Sequence, residues 1–370
     1  MKDVFGNTVS LTLAGESHGK AIIAVLSGFP AGFSVDEAEI SRVLSRRKPT
    51  QTGSTERHEA DDFEILSGIY NGKTTGAPIT FLIPNGDLDD APYEAQGKKL
   101  RPGHADYTAF VKSFGNNDPR GGGRSSGRLT VGLVAAGALA LSALRQKGIE
   151  IKTHIASCAG IADRDFSDYE ADFSILNKKP LAVLSEEAAE KMKAAVKAAT
   201  EDGDSVGGVL ETVITGVPAG LGEPWFDSVE SMLSHLLFSI PAVKGVEFGD
   251  GFALCDRRGS ETNDPFYIKN GKIVTKYNHN GGINGGITNG MPILFKTAVK
   301  PTPSVAKEQE TVDLETMTET TLSVSGRHDA AIVLRAPVIV DAAAALVLCD
   351  LFSQRFGENW LTEGKQWNTV

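Results

Sequence analysis

The sequence predicts an α+β fold in which buried helices are covered by antiparallel sheets, and three observations predict it. Residues 127–146 and 341–352 are apolar on nearly every face, the mark of helices enclosed by other elements. The strand-like runs at 8–13, 21–26, 209–217 and 332–334 are short and bounded by turn residues. These runs do not alternate regularly with helices, which disfavours a doubly wound parallel sheet.

The elements follow in chain order. Residues 8–13 and 21–26 flank a turn at Gly15-Glu16-Ser17-His18-Gly19. Ser34 and Glu37 stand three apart, a capping-box pattern, ahead of Ile40, Val43 and Leu44 at helical spacing. Arg46-Arg47-Lys48 put cations at that helix's negative end, and Pro49 stops it. A second, amphipathic helix over 186–200 turns its lysines outward and closes before Gly203. Pro218-Ala219-Gly220 end the 209–217 strand. With no linker-like stretch and no internal repeat, residues 1–370 read as one domain, although the length would also suit two.

Bulk properties narrow the function. A chain of 370 residues, 41% hydrophobic and 23% charged, can bury a full core without disulfide or metal staples. Its net charge of −10 disfavours nucleic-acid and membrane-surface partners, which need a broad basic face. Cys158, Cys255 and Cys349 are far apart and odd in number, so a reducing cytoplasm is the expected setting. The opening Met1-Lys2-Asp3-Val4 runs into strand-like sequence with no apolar signal segment. The longest apolar stretch noted, 131–144, falls short of a bilayer span. Seven histidines without clustered cysteines or carboxylates give no metal signature.

The strongest local signal is Arg120-Gly121-Gly122-Gly123-Arg124-Ser125-Ser126-Gly127-Arg128. Three glycines let the backbone approach a ligand closely, and the serines stand where helix caps stand. Arg120, Arg124 and Arg128 add forked donors for phosphate or carboxylate. A solvent loop with ordinary arginines is the bland alternative. The run contains neither a Walker A loop nor a Rossmann turn.

Other runs carry chemistry more weakly. Arg101-Pro102-Gly103-His104-Ala105-Asp106 presents a histidine after a tight turn, and His18 sits between glycines. Either histidine could equally be a structural one. Ser325-Gly326-Arg327-His328-Asp329 is an anion contact or a surface salt-bridge loop. Arg46, Arg47 and Arg57 are a basic rim or a solvated helix end. The run 278–286 is a cofactor wall or a plain glycine turn, and Lys300-Pro301-Thr302-Pro303-Ser304 an anion clip or a rigid connector. Together they predict a site where arginines and histidines surround a small phosphate-bearing polyanion.

The GESHG turn at 15–19, RPGHAD at 101–106, GGGRSSGR at 121–128, AVKGVEFGDGF at 242–252, NHNGGINGG at 278–286 and SGRHD at 325–329 resemble the chorismate synthase family along nearly the whole chain. The resemblance implies a β-α-β sandwich, with a helical layer between antiparallel sheets, assembled as a homotetramer. It implies 1,4-anti elimination of phosphate from 5-enolpyruvylshikimate 3-phosphate to give chorismate, dependent on reduced FMN, with NADPH as a source of electrons. It makes His18 the group that protonates or steadies the departing phosphate, His104 the keeper of the flavin's protonation state, and Asp329 the partner in proton removal. Arg47, Arg101, Arg128 and Arg327 would hold the substrate. Arg124, Ser125, Ser126, Ala242, Gly285, Lys300, Thr302, Ser304 and Arg327 would line the FMN. The chain departs from the common family pattern at Arg46-Arg47-Lys48, at Thr52-Gly53-Ser54 and at Pro241. The competing expectations are a flavin-dependent oxidoreductase acting on a phosphorylated polyanion, and a non-catalytic polyanion binder disfavoured by only 7% aromatic residues.

Overall fold

A computed structural model describes residues 2–48, 60–86, 90–324 and 329–361, with the Pro92 side chain left aside. Two five-stranded sheets, antiparallel throughout, enclose a layer of helices. The first runs in the order Val4–Phe5, Ser10–Ala14, Ala21–Ser27, Ile79–Pro84, Glu64–Ser67. The second runs Val243–Phe248, Ile293–Val299, Gly208–Thr215, Glu150–Cys158, Ile161–Ala162. This is the α+β sandwich that the sequence predicts.

Strand alternation decides which face each sheet buries. In the first sheet Ile22 pairs with Ile83, Ala24 with Phe81 and Leu26 with Ile79, all six fully enclosed. The Thr130–Gln146 helix packs on that face, and the Ala336–Phe356 helix packs on the second sheet. The helices meet where Gly137 faces Ala342, and a Cβ on Gly137 would lie 2.4 Å from that of Ala342. Only a residue without a side chain allows that approach. Both helices are long and apolar enough to cross a bilayer, yet 89% and 100% of their most apolar windows are buried inside the protein. Core packing accounts for that composition.

Two charged groups are built into the long final helix. Asp350 is fully buried and accepts the backbone N–H groups of Asn7, Thr8 and Val9 at 2.9, 2.7 and 2.9 Å, so it fastens the N-terminal loop. Burial pushes the Asp341 carboxyl up to about 6, opposed by Lys152.

Three sequence expectations are corrected. Residues 332–334 form a 3-10 turn, not a strand, and the last helix starts at Ala336, earlier than 341. Pro337 lies in its first turn, where a proline's missing N–H has no partner to lose. The cap of the Glu37–Ser45 helix is Asp36, which accepts from Ala38 and Glu39 at 3.0 and 3.2 Å, in place of Ser34.

Candidate active site

The turn joining Ser10–Ala14 to Ala21–Ser27 is held from below by Asn85, whose amide donates to the Glu16 and Gly19 carbonyls at 3.1 and 2.8 Å. It delivers His18, which is 6% exposed, with Nδ1 3.1 Å from Ser17 Oγ and Nε2 3.9 Å from an Asp90 oxygen. The Tyr93 ring meets the imidazole edge-on at 5.0 Å. Across this turn lies Gly121, at φ +61, where a Cβ would sit 2.6 Å from His18 Nδ1 and 2.5 Å from Ser17 Oγ. The first glycine of the triplet is therefore demanded by the histidine it covers.

Beyond the triplet, 3-10 turns at Gly123–Ser125 and Gly127–Leu129 precede the buried helix. The Ser126 hydroxyl caps the second turn, accepting the Arg128 N–H at 3.2 Å. These turns break helical spacing, so the three arginines diverge. Arg120 turns to Asp118 and Asp90 and lies outside the cavity. Arg124 is tethered to Asp3 at 2.8 Å and to the Leu13 and Gly15 carbonyls. Arg128, 5% exposed, donates to Asn85 at 2.8 Å, to the Pro84 carbonyl at 3.1 Å and to Asp61.

Arg47, just past its helix end, binds both oxygens of Asp61 at 3.0 and 2.8 Å. One carboxylate thus gathers two guanidiniums, all three groups nearly buried. Burial raises the Asp61 carboxyl, but Arg47 and Arg128 outweigh it and hold the group below its ordinary range. Burial draws the Arg47 guanidinium down to about 10, against Asp61 and with Arg128 and Arg335 adding repulsion. Among the described residues, the Nε atoms of Arg47 and Arg335 are buried without a hydrogen-bond partner. Asp61 is in the left-handed region at φ 53, a costly position for a side-chain-bearing residue.

The remaining walls come from three loops. Arg101 and His104 both bind Asp106, at 2.6 and 2.7 Å on the same oxygen. Asp329 pairs with Arg335 ahead of the last helix. Ala242, at φ 72, accepts the Lys300 N–H at 2.9 Å, and Lys300 Nζ reaches the Gly103 carbonyl at 2.7 Å. Thr302 Oγ1 is buried and unpartnered among the described residues.

These walls enclose a cavity of about 700 Å³, within the range of small-molecule sites. It is lined by His18, His104, Asp329, Arg47, Arg101, Arg128, Arg124, Ser125, Ser126, Ala242, Lys300, Thr302 and Ser304. Two expected residues are not among them. Arg327 lies outside the described residues, as does Arg57. Gly285 occupies an exposed turn between Ile283–Asn284 and Ile287–Thr288, outside the cavity of this chain. Its run is committed elsewhere, with His279 and Asn280 bound to Asp264.

Comparison with known proteins identifies the family. The chorismate synthase family model matches residues 9–352. A chorismate synthase of Methanosarcina barkeri is 48% identical over 349 residues, covering 94% of this chain and 95% of that one. One of Korarchaeum cryptofilum is 46% identical over 350 residues, covering 94% and 96%. This chain belongs to the chorismate synthase family. A crystal structure of chorismate synthase has the same fold, with TM-score 0.77, 31% identity, and coverage of 95% of this chain and 94% of that one.

For a member of this family the cavity has a telling charge balance. Its described lining holds eight lysines and arginines against two aspartates, in a chain of net charge −10. Walls of low polarisability concentrate that local positive field. Lys48 and Lys244 stood inside quoted runs without being assigned to the site, and the sequence reading passed over Asp61, Tyr93 and Arg335; all five line it. No local pattern announces the last three; folding alone brings Asp61 to an arginine 67 positions away. Asp106, by contrast, stood inside a quoted run and could have been found by asking what orients His104.

Proposed function

We propose that this chain eliminates phosphate from 5-enolpyruvylshikimate 3-phosphate, 1,4 and anti, to release chorismate, using reduced FMN. The observation that carries this reading is the convergence of buried arginines and two histidines on one cavity of an acidic protein. The substrate brings two carboxylates and a phosphate, about four negative charges, which only such a local inversion would admit.

FMN fits the residues present. The unpartnered Thr302 Oγ1 offers a buried polar contact, Ser304, Ser125 and Ser126 offer hydroxyls, and Arg124 a cation for its phosphate. Ile332, Ala336, Ile339 and Val340 supply an apolar surface. When bound, the reduced flavin would supply electron density to the reacting ring as phosphate departs. Arg47, Arg101 and Arg128 would hold the anionic groups, and His18 would steady or protonate the leaving phosphate. Asp329, which pairs with Arg335, would assist proton removal, and His104 would hold the flavin's protonation state. By this reading the chain works as a cytoplasmic homotetramer whose flavin is reduced by an external NADPH-dependent source.

The test is anaerobic turnover with dithionite-reduced FMN and the phosphate ester, followed by chorismate absorbance. Many turnovers per flavin without NADPH consumption are expected. Stoichiometric NADPH oxidation would instead favour the oxidoreductase reading.

A further inference from the structure

Asp106 lies behind the cavity wall, not in it. Its Oδ2 accepts the Arg101 backbone N–H and Nε–H, both at 2.9 Å. Its Oδ1 accepts Arg101 Nη2–H at 2.6 Å and faces His104 Nδ1 at 2.7 Å. A carboxylate offers about four lone-pair sites, so this one is saturated and leaves nothing for a ligand. Both groups it holds line the cavity. Burial works against the Asp106 charge, yet Arg101 and His104 hold it far below the ordinary carboxylate range.

We propose that Asp106 is a positioning residue that fixes two cavity groups at once, the fork of Arg101 and the tautomer of His104. An ionised carboxylate only accepts, so the proton of a neutral His104 is kept on Nδ1 and Nε2 becomes the exchanging nitrogen. Arg101 is aimed by the same carboxylate, by the Gly121 carbonyl at 2.5 Å and by the Tyr93 ring at 5.7 Å. Substrate grip and proton state are therefore tied to one side chain that touches neither substrate nor cofactor. This rests on the function proposed above only for its kinetic readout.

Two independent measurements test it. With 15N-histidine labelling of the full-length protein, and H104A to assign the signal, wild type is expected to show His104 protonated at Nδ1. D106N is expected to show a mixture, because an amide can donate as well as accept. In anaerobic kinetics D106N should lower kcat about 10²-fold and raise KM roughly 10-fold. In an H104A background it should still raise KM yet lower kcat no further. D106E, which keeps the charge, should retain the Nδ1 proton and recover part of the KM; it serves if D106N does not fold. An unchanged tautomer in D106N, or kcat losses of H104A and D106N that multiply, would overturn the proposal. A wild type that forms no chorismate would remove the function instead, leaving the tautomer measurement standing.

Discussion

Two regions bury ionisable groups, and they balance them in opposite ways. In the second sheet His154 is fully enclosed, with Nδ1 3.0 Å from Asp163 and Nε2 3.0 Å from Glu211. Asp163 also accepts the Leu184 and Ser185 N–H groups at 2.6 and 2.9 Å, at the head of the Glu186–Glu201 helix. One imidazole sits between two carboxylates, with a carboxylate oxygen on each ring nitrogen. In the cavity Arg47 and Arg128 both bind Asp61, and among the described residues the Nε atoms of Arg47 and Arg335 have no hydrogen-bond partner. The closed cluster is a structural clamp. The cavity is short of negative charge, and that deficit is what a ligand would fill.

The largest effects should break the cavity's chemistry and leave the clamp alone. His18→Ala and His104→Ala are each expected to lower kcat by about 10²–10⁴-fold with unchanged thermal unfolding; near-normal turnover would remove that histidine from the mechanism. Next, Asp61→Asn removes the carboxylate that Arg47 and Arg128 both bind and should cost about 3–5 kcal/mol in denaturant unfolding. Inorganic phosphate should recover part of that loss, and it should do nothing for variants of the clamp. Because Asp61 titrates below its ordinary value in the folded protein, its contribution is present above the unfolded carboxylate range and fades as pH falls through the folded value.

His154→Gln sharpens the other side. Burial lowers the His154 pKa, but Asp163 and Glu211 raise it beyond 6.5. A raised histidine contributes fully below its unfolded pKa and loses that contribution as pH climbs through the folded one. Wild-type stability should thus decline with rising pH above about 6.5, and the variant should show less of that slope, with anion binding unaltered. The smallest effect belongs to Arg120→Ala. Its guanidinium is committed to Asp118 and Asp90 and faces away from the cavity, so kcat/KM should stay within about two-fold of wild type. A loss as large as that of Arg128→Ala would reject the assigned orientation.

The parts legible from sequence were those set by local physics. Residues 127–146 and 186–200 announced helices, the first through continuous apolar sequence and the second through amphipathic spacing, both short-range signals, although the first α-helix starts only at Thr130 after a 3-10 turn. Residues 332–334 misled because Ile-Val-Leu satisfies a strand and a buried turn equally, and the last helix was begun at 341 although it starts at Ala336. The glycine-arginine run pointed to the cavity, but spacing alone misplaced Arg120, whose direction depends on 3-10 geometry. Asp61 was invisible because its importance lies in distant partners.

The fastening of Asn7, Thr8 and Val9 to Asp350 spans sequence separations of 343, 342 and 341 residues. During synthesis those three amides lack their native acceptor until Asp350 has emerged. Such long-range closure slows folding. Any nascent chain cut short before Asp350 would carry an open seam along its first sheet.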